Sequence, residues 1–254
     1  MLYVNKIIEQ ICNGDIKEFE FPDKIESALY VKYKTKFMNA VDFYSRKIIN
    51  NPDRNIKVYV CQGPPRVGKS LFCKAWAKKH NKSVCFSSAS RDPWQDYHGE
   101  DVFVYDDHNF ESSKIEDFIK AFDPHNNTSI GARYHNKVFI GDTIFVCSNI
   151  PAQDWYKFEA EEIHRNALFS RIDFVLDFTD FDEAKGQSHY TVNTLYEGKE
   201  HDYDIGRLGI PHYSKKWMLK PVENDSRTFD LNKYIDVTLD KKKTEDFLNK
   251  LDDI

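Results

Sequence analysis

The residues of this sequence with the clearest chemical potential are Gly63, Gly68, Lys69 and Ser70, which follow the spacing Gly-x-x-x-x-Gly-Lys-Ser. Glycines at these positions let consecutive backbone N–H groups converge on phosphate oxygens, and a helix that begins at the loop adds its positive end. The lysine reaches the terminal phosphates, and the serine hydroxyl takes one position around Mg²⁺. A surface turn with the same letters is the alternative, but a β-like run precedes the motif and a helical pattern follows it. We therefore predict an ATP-binding loop formed by Gly63, Pro64, Pro65, Arg66, Val67, Gly68, Lys69, Ser70 and Leu71.

Two carboxylates follow a second apolar run and could supply the metal site that such a loop needs. Asp106 and Asp107 come directly after Val102–Tyr105. Ligands bind at the carboxyl edge of a parallel sheet, so a strand that ends in two acids suits this role. We predict that Asp106 holds Mg²⁺, directly or through water, and that Asp107 orients or deprotonates the attacking water. Without the phosphate loop upstream, an acidic turn after a buried strand would be the better interpretation.

A third apolar run, residues 143–147, ends in Ser148 and Asn149. A side-chain amide at such a strand end can hold the attacking water against the γ-phosphate of ATP. Asn149 is therefore a predicted catalytic residue. An ordinary asparagine turn before Pro151 is the alternative.

Two arginines further along could complete the site from a neighbouring subunit. An arginine delivered to the γ-phosphate in this way makes hydrolysis depend on assembly, and it is worth roughly 10³–10⁵ in rate. We predict that Arg171 has this role, with Arg165 as the second choice. A surface arginine on an amphipathic helix is the alternative for Arg171.

Strands that alternate with helices are predicted to position these residues. A helical pattern over 71–79 follows the glycine loop, and short β-rich runs recur on both sides of it. This alternation is typical of an α/β fold in which helices flank a parallel sheet. The predicted strands cover residues 56–61, 83–86, 102–105, 143–147 and 172–178.

The pattern of apolar and polar residues changes at both ends of this α/β region. Helical patterns run over 3–12 and about 27–50, and a turn-rich cluster follows them. After about Asp180 the pattern is less regular. We therefore predict three parts: an N-terminal helical unit over 1–50, an ATPase domain over 51–180, and a C-terminal extension of uncertain role over 181–254.

The composition restricts the class of protein. The chain has 254 residues, 41% of them hydrophobic, and a formal net charge of −5, so it lacks a globally basic surface for nucleic acid but can still hold a local basic channel. No apolar run approaches the roughly 20 residues that cross a bilayer, and the start has no secretory signal, so we expect no membrane partner. The five cysteines are scattered, and we interpret them as small buried thiols in a reducing compartment.

The order of these motifs resembles that of the superfamily 3 helicases, AAA+-related motors of small DNA and RNA replicons. The nearest resemblance is to the helicase part of the replication initiators (Rep proteins) of circular single-stranded DNA viruses and related bacterial rolling-circle plasmids. It rests on GPPRVGKS, VFVYDD and IFVCSNIP and covers roughly residues 1–180. The stretch IIEQICNGDIKEFE also resembles the segment that joins nuclease to helicase in that family. The resemblance implies a P-loop AAA+-like fold, ATP and Mg²⁺ as cofactors, and a ring, taken as a hexamer. We expect the N-terminal helices to help hold this ring, because their apolar face exceeds what a two-helix unit can bury alone.

The resemblance also implies that the segment 128–137 forms a hairpin that projects into a central pore and grips single-stranded nucleic acid. Arg133, His135 and Lys137 place cationic or polar groups around Tyr134. This combination suits a grip on the phosphate backbone that tolerates any base. Lys137 is the first candidate for this contact, ahead of Arg133 and His135. A solvated β-hairpin is the alternative.

One feature of the related initiators is missing from this sequence. They carry an N-terminal nicking nuclease of the HUH type, with a His-hydrophobic-His metal pair and a Tyr-x-x-Lys nucleophile. None of the nine histidines here lies two positions from another, and the two Tyr-x-x-Lys matches, Tyr33–Lys36 and Tyr44–Lys47, fall within a predicted helix. We therefore predict a motor without its own nickase. The nuclease would lie upstream in a longer native protein or on a partner chain.

Together, the motifs and the resemblance predict a ring-forming, ATP-dependent 3′-to-5′ DNA helicase that translocates on single-stranded DNA during replication of a small circular replicon. The alternatives are an RNA helicase of a positive-strand RNA virus, an AAA+-like remodelling ATPase that unwinds nothing, and a regulatory nucleotide-binding module with weak turnover. The compartment follows the host: the cytoplasm for a bacterial plasmid, or the nucleus for a eukaryotic virus.

Overall fold

A computed structural model describes most of the chain and shows an α/β fold behind an N-terminal helical region. The helices are α1 (Leu2–Asn13), α2 (Phe21–Lys24), α3 (Ser27–Ile49), α4 (Lys69–Lys79), α5 (Ile115–Ala121) and α6 (Glu162–Phe169). The strands are β1 (Lys57–Gln62), β2 (Val84–Ser87), β3 (Val102–Tyr105), β4 (Thr143–Ser148), β5 (Phe174–Asp182), β6 (Gln187–Asp202), β7 (His212–Pro221) and β8 (Arg227–Asp230). The described residues are 2–50, 54–89, 91–107, 113–126, 129–132, 136–157, 162–202, 212–222 and 226–235.

One sheet organises the α/β part, in the order β2-β3-β4-β1-β5-β6-β7, with β8 paired to β6. The pairs from β2 to β5 are parallel, and those beyond β5 are antiparallel. Every residue of β3 and β4 is buried, which explains why these strands read as unbroken apolar runs. The predicted fold class, a mostly parallel sheet flanked by helices and preceded by a helical region, is confirmed.

The register of the parallel strands brings the predicted site residues to one edge of the sheet. Gln62 at the end of β1 is opposite Ser148 at the end of β4, and Tyr105 at the end of β3 is opposite Val146. The loops that leave these strands therefore start side by side. This edge is where ligands bind in open parallel sheets.

The described part of the last third continues the same sheet. β5 runs through Asp180, and β6 pairs antiparallel with both β5 and β7. The sequence showed only an irregular pattern here, whereas the structure shows two of its longest strands. In β6 the buried positions Ser188, Tyr190 and Val192 alternate, but one of the three is polar, which weakens the hydrophobic alternation.

The helical unit packs α1 against α3. Val4, Ile7 and Ile11 of α1 are buried together with Phe37 and Ala40 of α3, so α1 packs through its apolar face. Other apolar side chains of this unit stay exposed, and two of them, Val31 at 79% and Phe43 at 59%, lie on α3. None of the described helices is both long and apolar enough to cross a bilayer.

The segment after α1 joins the helical unit to the α/β part near the start of β3. Lys17 forms an ion pair with Asp101, and the Phe19 N–H donates to the His98 carbonyl at 3.0 Å. His98 Nδ1 lies 2.8 Å from Glu18 Oε1, and this hydrogen bond raises the pKa of His98 despite burial. Burial opposes the ionisation of Glu18, but the charged partners His98 and Lys137 leave its pKa lowered. The joint is therefore held by complementary charges.

The helix that carries the glycine loop depends on one aromatic side chain of the core. Phe72 of α4 is 3% exposed, and its ring centre lies within 6.2 Å of four other rings. These four belong to β4, β5, β6 and β8: Phe145, Phe178, Tyr190 and Phe229. We expect Phe72→Ala to lower the free energy of unfolding by about 3–5 kcal/mol, because the cavity would lie among rings that cannot close it.

Chemical denaturation of wild type and Phe72→Ala measures this effect. The matched control is Phe43→Ala on α3, which removes an exposed ring and should change stability by no more than about 0.5 kcal/mol. Equal losses in the two variants would show that β6 and β8 do not form one core with α4.

Candidate nucleotide-binding site

The glycine loop needs its glycines for both conformation and space. Gly63 has φ 141° and Gly68 has φ 85°, values that L side chains rarely adopt. A Cβ on Gly63 would lie 2.2 Å from the carbonyl oxygen of Phe178 in β5, and one on Gly68 would lie 2.4 Å from Ser188 Oγ in β6. The loop therefore packs closely against β5 and β6. The described part of the last third of the chain thus contributes to holding the loop in place.

Lys69 begins α4 and turns its ammonium group into the loop. The residue is 6% exposed, and Nζ donates to the carbonyl oxygens of Gly63 at 2.9 Å and Pro64 at 2.7 Å and to Asn149 Oδ1 at 2.8 Å. Burial lowers the pKa of Lys69, and nearby acidic groups, among them Asp107, partly offset this. The oxygens of a phosphate group could replace these three acceptors around a single cation.

Ser70 and Asp106 form the part of the site that could hold a metal ion. Ser70 Oγ donates to Asp106 Oδ1 at 2.5 Å, so a hydroxyl from α4 and a carboxylate from the end of β3 meet directly. Both are hard oxygen ligands of the kind that Mg²⁺ prefers, and Mg²⁺ commonly uses one or two protein oxygens together with phosphates and water. The donor set therefore fits the predicted metal.

Asp107 and Asn149 face each other across the same edge. Asp107 has φ 48°, an uncommon left-handed conformation that turns the chain sharply after β3. Asn149 Nδ2 donates to Asp107 Oδ1 at 3.4 Å while its Oδ1 accepts from Lys69. The structure thus brings together five predicted residues: Lys69, Ser70, Asp106, Asp107 and Asn149.

The remaining loop residues differ in how far their side chains are exposed to solvent. Pro64, Pro65 and Arg66 are exposed at the mouth of the loop, and Arg66 has φ 66°. Val67 is buried, and Leu71 packs partly against the same core as α4. The loop therefore has an open face toward solvent and an apolar face that anchors it.

Gln62 is a positioning residue that the sequence reasoning missed. It is buried at the end of β1, and its Oε1 accepts from the Ala152 N–H at 2.9 Å. Its side chain also hydrogen-bonds Asp177 of β5, whose pKa burial nevertheless raises. Gln62 thus fixes the start of the glycine loop relative to the segment after Asn149. The signal in the sequence was a polar amide at the end of a buried strand, directly before Gly63.

The two predicted arginines are engaged within their own subunit. Arg165 of α6 donates to the carbonyl oxygens of Trp155 at 3.1 Å and Gln153 at 2.8 Å. Arg171 follows α6, donates to the Ala167 carbonyl and lies 3.5 Å from Asp123. The Nε atom of Arg171 is buried without a hydrogen-bond partner in the described part of the chain. Arg165 is therefore the more firmly held of the two.

The predicted hairpin is described only at its base. Ile130 and Lys137 exchange backbone hydrogen bonds of 2.8 and 2.9 Å in an antiparallel bridge. Arg133 and His135 lie outside the described residues. Lys137 is partly buried and lines a cleft of about 440 Å³ between the helical unit and the α/β part, together with Glu18 and His98. Of the three predicted nucleic-acid contacts, Lys137 alone lies within the described residues, in the bridge with Ile130.

Comparison with known proteins identifies one matching family model and two curated relatives. Residues 59–150 match the model of the RNA helicase family. The chain is 28% identical over 151 residues to the replication protein of Onion yellows phytoplasma (strain OY-M), which covers 59% of this chain and 40% of the relative. It is 31% identical over 121 residues to the replication-associated protein of Porcine circovirus 1, which covers 47% of this chain and 37% of the relative.

The matched family region contains the glycine loop, the end of β3 and Asn149, the three places where the site residues converge. The matches cover about two fifths of the length of these curated relatives. These findings confirm the predicted resemblance to the superfamily 3 helicase domain of Rep replication proteins.

Proposed function

We propose that this chain is an ATP-dependent DNA helicase that works as a ring, moves 3′ to 5′ on single-stranded DNA and serves the replication of a small circular replicon. The observation that carries the proposal is the convergence of Lys69, Ser70, Asp106 and Asn149 at one edge of the sheet. Helicase-type domains in general use a nucleoside triphosphate and a divalent metal ion, and the replication proteins among the relatives support the biological setting.

Each residue of the cluster has a role in hydrolysis. The backbone of the glycine loop and Lys69 would bind the phosphates, and Lys69 would stabilise the negative charge that develops on the transferred group. Asp107 is placed beside Asn149 so that the pair can orient a water molecule and accept its proton. Ser70 and Asp106 would hold Mg²⁺, which neutralises phosphate charge.

Exposed apolar side chains on the helical unit support assembly into a ring. Leu2 is 91% and Tyr3 61% exposed on α1, and Val31 and Phe43 are exposed on α3. A neighbouring subunit could cover such side chains, and this would explain their solvent exposure in a single chain. A ring would also place an arginine from one subunit near the nucleotide of the next, with Arg171 as the first candidate and Arg165 as the second. We take the hexamer as the working subunit count.

The proposal also specifies DNA as the nucleic acid and includes a nickase. The family description names RNA, whereas the two relatives are named for replication, and the resemblance of the N-terminal segment to the joint of DNA replication initiators favours DNA. An RNA helicase is the alternative. A nickase, either as a further domain or as a partner, would supply the strand break that a helicase cannot make.

The test is strand separation of a labelled duplex that has a 3′ single-stranded tail, in the presence of ATP and Mg²⁺. We expect wild type to separate the strands and Lys137→Ala to lose most of this activity while it keeps ATP turnover in the absence of nucleic acid. The matched control is Glu18→Gln, which perturbs the same cleft without removing a cation and should leave unwinding intact.

Three outcomes contradict different parts of the proposal. If wild type hydrolyses ATP but separates neither DNA nor RNA with either tail, the chain is a remodelling ATPase. If Glu18→Gln fails as fully as Lys137→Ala, the cleft matters for the joint between the units, and Lys137 is not a nucleic-acid contact. A preference for RNA duplexes would favour the alternative helicase.

A further inference from the structure

Three cysteine side chains converge in the core directly behind the nucleotide site. Cys61 lies on β1, Cys73 on α4 and Cys147 on β4, and all three are fully buried. The Cys73 sulfur lies 4.0 Å from that of Cys61 and 3.6 Å from that of Cys147, and all three sulfurs lie within 4.8 Å of one another. The sequence positions are far apart, so the fold alone brings the thiols together.

The spacing of these sulfurs matches what one soft metal ion requires. A metal–sulfur distance of about 2.3 Å places the sulfurs of a tetrahedral or trigonal site about 3.8–4.0 Å apart. Thiolates select soft ions, chiefly Zn²⁺ and Cu⁺ among common metals. The Cys61–Cys73 pair, at 4.0 Å, already has this separation, and the Cys73–Cys147 pair, at 3.6 Å, is slightly closer. All three sulfurs lie within 4.8 Å of one another, so an ion could enter with only small shifts of the side chains.

The surroundings act in both directions on the charge of such a site. Three thiols that bind a divalent ion release three protons, and the resulting complex carries one negative charge. Lys69 is near enough for its positive charge to favour the thiolate forms of Cys61 and Cys147. Hydrogen bonds from the other two thiols lower the pKa of Cys147, whereas burial raises that of Cys61 and Cys73.

Each thiol is linked through a short piece of chain to one part of the nucleotide site. Cys61 lies two residues before Gly63, Cys147 lies two before Asn149, and Cys73 is one helical turn after Ser70. An ion that draws the sulfurs together would therefore pull on β1, β4 and α4 at once. The negatively charged metal–thiolate complex would also attract the Lys69 ammonium away from the phosphate position.

We propose that Cys61, Cys73 and Cys147 form a binding site for one soft, thiophilic metal ion, and that occupation of this site inhibits nucleotide turnover. The binding part stands by itself, and the inhibition part rests on the proposed ATPase function. The simpler alternative is that the thiols are only small apolar side chains of the core, which Cys85 exemplifies elsewhere in the sheet.

The experiment uses Cd²⁺ as the probe, with a non-thiol reductant present to prevent disulfides. Thiolate-to-metal charge transfer in the ultraviolet reports binding, and native mass spectrometry counts the ions per chain. We expect one ion per chain in wild type and in Cys85→Ala, the matched control that removes a buried thiol outside the cluster. Cys73→Ala should weaken binding by at least about 100-fold, the upper end of what losing even an outer-shell partner costs.

Competition by Zn²⁺ or Cu⁺ against bound Cd²⁺ then shows which ion the site prefers. Thermal unfolding without metal shows whether Cys73→Ala is folded, and Cys61→Ala replaces it if it is not. Equal charge-transfer signals in wild type and in the cluster variants, or no signal at all, would overturn the site.

ATP turnover is measured in parallel in the same samples. Inhibition by Cd²⁺ in wild type and Cys85→Ala but not in Cys73→Ala supports the link to the nucleotide site. If one ion binds and ATP turnover is unchanged, the inhibition part of the proposal is wrong and the binding part stands. If neither wild type nor any variant turns over ATP, the proposed ATPase function is wrong. The Cd²⁺ binding measurement still shows whether the metal site exists.

Discussion

Replacing Lys69 by alanine is expected to reduce ATP turnover by about 10²–10³-fold, the range seen when one preorganised charge-stabilising donor is removed. The ammonium group is buried among three oxygen acceptors at the mouth of the loop, so no other cation of the described loop is placed to replace it. Lys78→Ala is the matched control, because Lys78 lies exposed in the last turn of the same helix.

Steady-state kinetics with ATP and Mg²⁺ measure this effect, and a loss in kcat as well as in kcat/KM would place the interaction in the transition state. Thermal unfolding must accompany the kinetics, since the alanine leaves the carbonyl oxygens of Gly63 and Pro64 without their donor. If Lys69→Ala and Lys78→Ala turn over ATP at the same rate, the glycine loop has no role in catalysis.

The parts of this site that the sequence could predict are those that depend on local chemistry. The glycine loop, the acids after β3 and the amide after β4 each stand at the end of a buried apolar strand. Parallel strands share one carboxyl edge, so three local patterns were enough to predict that these loops meet. The observed contacts of Asn149 with Lys69 and Asp107 agree with that reasoning.

The parts that the sequence could not predict depend on contacts between distant segments. Ser188 lies behind Gly68 because β6 returns antiparallel beside β5, and nothing near Ser188 in the sequence indicates this. The cysteine cluster likewise exists only because β1, α4 and β4 are neighbours. Long strands such as β6 also escape pattern recognition when buried and polar residues are mixed along them.

The two arginines differ in the contacts that each would lose on leaving its own subunit. Freeing Arg165 would remove charged hydrogen bonds from two backbone carbonyls, whereas Arg171 would give up one carbonyl and an ion pair at 3.5 Å. Arg171 is therefore easier to release toward a neighbouring nucleotide. We expect Arg171→Ala to lower kcat by roughly 10³–10⁵-fold, the effect of losing an arginine finger. Arg165→Ala serves as the comparison, since we expect it to lower the stability of the subunit first.

A mixing experiment shows whether Arg171 acts on its own subunit or on the next. In a head-to-tail ring, each site would combine Lys69 of one subunit with Arg171 of its neighbour. Lys69→Ala and Arg171→Ala should each be inactive alone. In an equal mixture, about a quarter of the interfaces would join an intact Lys69 to an intact Arg171, so turnover should return to about a quarter of wild type. If the mixture stays inactive although the subunits exchange, the arginine acts within its own chain or has no catalytic role, because only a shared site allows one defect to complement the other.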